Sequence, residues 1–205
     1  MNRFATVLLL TICAAVTSGS AFAEGKVNLP EGMELSDKPV PYVSANQEFQ
    51  LTFPSGCAEL HSRVNEPDLF GGETYDDIVN VQYIYCDRFQ EKGEGCSITA
   101  VFNWHDQDGE PAGPAQVVKR VQDTLRSFGV KVVAQREVQR TYNENYAVEG
   151  VDVRARAPEG DGEVRVMGLL SFGDIYILAA WNNEGGLDED AEMTLFFDSF
   201  QPFVE

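Results

Sequence analysis

Two histidines, a few cysteines and 33 carboxylates are the groups this chain offers for chemistry. His105 precedes Asp106, and the pair suggests a small hydrolase using His105 and neighbouring acids. Such chemistry needs a nucleophile, a base and an orienting acid that converge in space. Adjacency along the chain does not supply that, and His61 stands alone. The sequence holds no G-x-S-x-G, H-E-x-x-H, phosphate-loop or dinucleotide signature. The hydrolase is therefore the second reading, behind a protein without catalysis of its own, and no catalytic or cofactor-binding residue is assigned.

Calcium is the one metal the acids suggest. Asp106, Asp108, Gly109 and Glu110 imitate the middle of an EF-hand loop, whose ligands are hard oxygens on a tight turn. The register fails: with Gly109 at the loop glycine, Trp104 takes the first ligand position and Ala115 the place of the bidentate glutamate. A noncanonical site could use Asp106, Asp108 and Glu110. It could instead use Asp76 and Asp77, in a loop that also carries Glu66, Asp68 and Glu73. Against both stands the ordinary reading of acidic turns in an acidic protein.

The cysteines depend on where the chain begins after processing. Arg3 lies in a short basic segment, Ala5 to Val16 are apolar, and Ala21-Phe22-Ala23 has the A-x-A form of a signal-peptide cleavage site, which places the cut between Ala23 and Glu24. The apolar run is too short to span a bilayer as a helix. Cys13 falls within the signal, and Ile12 before it is wrong for lipidation. Cys57, Cys86 and Cys96 remain, an odd number in a periplasmic or secreted, oxidising setting. Cys86 with Cys96 would staple a hairpin, whereas Cys57 with Cys86 would close a longer loop; the spacing leaves both open. No C-x-x-C pair favours a metal thiolate site.

Loss of Arg3 with the signal leaves 14 basic against 33 acidic side chains, a net charge of -19. That density repels nucleic acid and anionic lipid, so the partner expected is a protein, with no membrane insertion after cleavage. The 182 residues left suffice for one core. Residues 24–46, with three prolines and no period, read as a flexible leader, and 47–205 as a single α+β domain.

The elements that must position these groups show in the hydrophobic period. Phe49, Leu51 and Phe53 alternate with Gln50 and Thr52 before the turn Pro54-Ser55-Gly56, as in a half-buried strand. A short strand follows from Ala58 to Val64. Val79 to Cys86 and Cys96 to Trp104 form a hairpin. Pro114 opens a helix with apolar Val117, Val118, Val121, Leu125 and Phe128, and Gly129 closes it. Val130 to Tyr142, Tyr146 to Ala157, Glu163 to Phe172 and Ile175 to Trp181 read as an antiparallel meander, with turns at Asp161-Gly162 and Gly173-Asp174. Trp104 and Trp181, at strand ends, read as core or rim residues. A second helix has Asp188, Glu189 and Asp190 in its first turn and a stripe of Met193, Phe196, Phe197 and Phe200, and Pro202 ends it.

This order, from Phe53-Pro54-Ser55-Gly56 to a final helix closing in Phe196-Phe197-Asp198-Ser199-Phe200, resembles the Mog1/PsbP-like group over roughly residues 47 to 203. The resemblance implies a central antiparallel sheet with helices packed on it, an α/β/α sandwich. It also implies a mostly nonenzymatic binding or accessory role, as in the uncharacterised secreted bacterial branch. No partner-binding motif of the group falls on a residue here.

Overall fold

The computed structural model describes residues 25–26, 38–44, 47–64, 80–88, 93–102, 111–142 and 146–202. The protein is a mixed α+β structure, mostly sheet. Its strands are β1 (Gly25–Lys26), β2 (Val40–Val43), β3 (Phe49–Phe53), β4 (Cys57–Val64), β5 (Asn80–Arg88), β6 (Glu94–Phe102), β7 (Lys131–Tyr142), β8 (Tyr146–Arg156), β9 (Glu163–Ser171), β10 (Asp174–Asn182) and β11 (Gln201–Pro202). The helices among the described residues are α1 (Pro114–Phe128) and α2 (Ala191–Asp198). An eight-stranded sheet runs β1-β4-β5-β6-β10-β9-β8-β7, and a three-stranded sheet runs β11-β3-β2. Every pairing is antiparallel.

The period of two along β10 sorts the core. Tyr176, Leu178 and Ala180 join a cluster with Phe49, Leu51 and Phe53 of β3 and Met193, Phe196 and Phe197 of α2. Ile175, Ile177, Ala179 and Trp181 face the other way, into a cluster with Val117, Val121 and Leu125 of α1. The large sheet is thus covered by α1 on one face and by the small sheet with α2 on the other, and β9 and β10 are buried along nearly their whole length. A strand covered on both faces must be apolar at successive positions, which is why these two read as near-continuous hydrophobic runs. Phe49 anchors the first cluster, its ring within 6.0 to 6.5 Å of Phe102, Tyr176 and Phe200. Truncating such a ring to alanine costs about 3–5 kcal/mol.

Helix α1 begins at Pro114, whose missing N–H falls among those with no helical partner, and Gln116 Oε1 accepts from Gly113 N. Gly129 ends it in the left-handed region at φ 65°. The stripe is narrower than its apolar residues suggest: Val117, Val121 and Leu125 are buried, while Val118 is exposed. Gly168 on β9 lets α1 approach, because a Cβ there would lie 2.5 Å from Val121 and 2.7 Å from Val117.

Five local expectations are corrected. Val40 to Val43, assigned to the leader, pairs with β3, because Val40 and Tyr42 have apolar positions to fill against it. The β9–β10 turn is Phe172-Gly173, both at positive φ, and Asp174 is already in the strand opposite Ser171. Before β9 the positive φ falls on Gly160, with Ala157 N donating to Gly162 O, so the turn sits earlier than Asp161-Gly162. Asp188 and Glu189 lie ahead of α2, and Asp190 is its cap, accepting from Glu192 N and Met193 N. The helix ends at Asp198, and Pro202 belongs to β11.

Candidate functional site

Of the residues singled out from sequence, His105, Asp106, Asp108, Glu110, Asp76, Asp77, Ala23 and Glu24 lie outside the described residues, as does Trp104. His61 is placed by its backbone, opposite Tyr85 in the β4–β5 ladder. Among the described residues no group of three or more His, Cys, Asp or Glu side chains could hold a metal ion. Trp181 is a core residue, 5.7 Å from the Phe128 ring between centroids. Cys86 and Cys96 face each other across β5 and β6 and are fully buried. Cys96 carries a thiol, which removes the Cys86–Cys96 hairpin staple.

The chemistry-bearing groups that do come together were not singled out from sequence. On the face covered by the small sheet, Asp152 of β8 is almost wholly buried, and Arg165 of β9 grips it with both ends of the fork, Nε to Oδ1 at 3.0 Å and Nη2 to Oδ2 at 2.9 Å. Arg136 of β7 adds Nε and Nη2 contacts to Oδ2, at 3.0 and 2.7 Å, from an exposed position. The Arg165 guanidinium lies over Phe197 of α2, 4.1 Å from its ring centroid. Burial pushes the Asp152 carboxyl up, but the hydrogen bonds and charges of Arg165 and then Arg136 outweigh it and hold the group below its ordinary value.

A second cluster ties the β5–β6 hairpin to the start of α2. Arg88, itself buried, contacts Glu94 at 2.8 Å, Glu192 at 3.0 Å and the cap Asp190. Ser55, in the turn after β3, donates its backbone N–H and hydroxyl to Glu192 Oε2. Burial raises the Asp190 carboxyl. The Met193 N–H, the Arg88 guanidinium and the Glu192 N–H more than offset that, so its net shift is downward. A general acid working near neutrality needs a carboxyl shifted upward. Asp152 and Asp190 are shifted the opposite way and already filled by arginines. Both clusters therefore act as polar fasteners between layers, since a buried arginine is tolerated only with its charge and donors matched. A charged residue within an apolar strand run, as Asp152 in Val151-Asp152-Val153 and Arg165 in Val164-Arg165-Val166, was the available signal.

What remains is surface. β7 is the last strand of the large sheet, and its first seven residues, Lys131 to Glu137, are exposed on both faces. Val132 and Val133 stand 55% and 58% exposed at a break in register between Val132 and Ala134. Lys131, Arg136 and Arg140 outnumber Glu137 here, in a chain whose net charge is -18. No helix among the described residues is long and apolar enough to cross a membrane. No family model matches the chain, and no curated protein matches it either.

Proposed function

We propose that the chain is an exported binding or accessory protein, of the Mog1/PsbP-like α/β/α kind, that acts by holding a protein partner and performs no chemistry itself. The observation that carries this reading is the contrast between its two polar provinces. Its buried charges are consumed in fastening layers, while the edge strand β7 is exposed from Lys131 to Glu137 with two valines displayed. A sheet edge offers a row of backbone donors and acceptors to an incoming strand. The occupant that fits is an extended segment of a partner whose backbone pairs with the exposed stretch Lys131 to Glu137 and whose apolar side chains meet Val132 and Val133. The signal peptide expected over residues 1–23 supports an encounter in the periplasm or outside the cell, and the net negative charge of the chain disfavours nucleic acid and anionic lipid.

The test is paired. Val132→Lys and Val133→Lys together add like charge to the edge and change no buried contact, so they should leave the fold intact and weaken partner binding by tenfold or more. A robust hydrolytic turnover by the purified chain, lost on substitution of His105, would overturn the reading.

A further inference from the structure

The cysteines left after signal cleavage converge on one stretch of the sheet. Cys86 and Cys96 are directly opposite each other, packed in the core with Ile84, Ile98 and Leu178. Cys57 begins β4 opposite Arg88, two residues along β5 from Cys86. Alternate strand residues share a face, so positions 86 and 88 lie on the same one. A break in register between Cys57 and Leu60 sets three steps of β4 against two of β5, which keeps position 57 in step with that face and bends the strand locally. Opposed pairs in antiparallel sheet have Cα atoms about 4.5–5.5 Å apart, within the disulfide range. Distance alone would therefore admit Cys86 with Cys96, yet Cys96 is a thiol.

We propose that Cys57 and Cys86 form the disulfide, joining β4 to β5 beside a core in which Cys96 stays reduced. The two thiols lose two protons and two electrons to an oxidant that is itself a disulfide, such as oxidised glutathione or a dithiol oxidase, and that leaves as two thiols. The link closes the chain from 57 to 86, around the acids Glu66, Asp68, Glu73, Asp76 and Asp77, a longer loop than 86 to 96 and one that restrains the unfolded chain more. With Cys86 taken up in that bond, Cys96 has no second cysteine of the mature chain left to pair with, so the odd count resolves into one bond and one thiol held in the core.

The test refolds the chain, both full-length and starting at Glu24, in a mixture of reduced and oxidised glutathione, blocks thiols with a maleimide in denaturant, and maps peptides before and after reduction. The expected result is a Cys57–Cys86 cross-linked peptide that reduction splits, with Cys96 carrying the maleimide. Cys96 in a cross-link, maleimide on both Cys57 and Cys86, or a bond between chains would overturn the assignment. The refolding mixture supplies the oxidant, so the outcome does not depend on where the chain resides. In a companion measurement, reductant should lower the melting temperature of the wild type and of Cys96→Ala equally and leave the Cys57→Ala/Cys86→Ala double variant unmoved. A reductant effect that survives in the double variant would also overturn the proposal.

Discussion

Asp152→Asn is the substitution that bears hardest on the account of the buried charges. Asparagine keeps the shape and one acceptor, so the 3.0 Å contact from Arg165 Nε to Oδ1 can persist. At the other position it presents an amide N–H₂ to donors of Arg165 and Arg136, which sit 2.9 and 2.7 Å away. The Arg165 side chain is only 8% exposed, so its charge loses its counter-ion where water cannot replace it. Removing one partner of a buried pair costs about 3–5 kcal/mol. The retained hydrogen bond and the Phe197 ring put this case near the lower end, roughly 3 kcal/mol. For a chain of this length that lowers the melting temperature by about 6–12 °C. Arg136→Ala should cost no more than about 1 kcal/mol, since that arginine's side chain is 64% exposed. Asp152→Leu with Arg165→Met should be milder than Asp152→Asn, because the apolar pair leaves no stranded charge. Urea unfolding followed by tryptophan fluorescence, with the slope unchanged, measures all three. An Asp152→Asn variant as stable as Arg136→Ala, or a double variant worse than the single, would refute the reasoning.

Stability should also respond to acid. Asp152 and Asp190 both titrate below their ordinary range in the fold, so their contribution is complete above the unfolded carboxylate value near 3.9 and drains as pH falls through the lower folded values. The urea midpoint should hold level from about pH 7 to 5 and drop below about 4, less steeply in Asp152→Asn. At the alkaline end, burial lifts the Tyr42 phenol to about 12. Tyr176 is raised too, by burial first and then by the charges of Asp174 and Glu48. A raised folded value means the contribution is complete below about pH 10 and lost as pH climbs beyond it, so the midpoint should fall above pH 10 and Tyr176→Phe should soften that fall. Gly168→Ala should cost about 1–3 kcal/mol by overpacking against Val117 and Val121, a loss that Val121→Ala in the same chain partly restores; additive costs in a double-mutant cycle would contradict it.

The residues show why some of this was legible in sequence. Alternation announced β3, and β9 and β10 are apolar at successive positions because burial on both faces dictates residue type at each. Gly129 and Pro114 marked the ends of α1 for reasons local to the backbone. Phe172 was opaque, since nothing in an exposed phenylalanine signals positive φ; the two-residue hairpin imposes it. Asp190 looked like one of three acids, and only the first turn of α2, with its two N–H groups aimed at that carboxylate, singles it out. The Arg88 cluster joins residues about a hundred positions apart. Its members become partners only once the small sheet, the β5–β6 hairpin and α2 have docked, and no spacing in the sequence carries that.

The claim that the chain works through its open edge is tested most directly by photocrosslinking in the native compartment. A photoreactive residue replaces Val133 or Gln135 on β7, with Val118 on α1 and Phe172 in the β9–β10 turn as exposed controls. One discrete crosslinked protein from the β7 positions, absent from the controls and lost when Val132→Lys is added, is the predicted result. Crosslinks from the controls to a discrete partner with none from β7 would contradict the account.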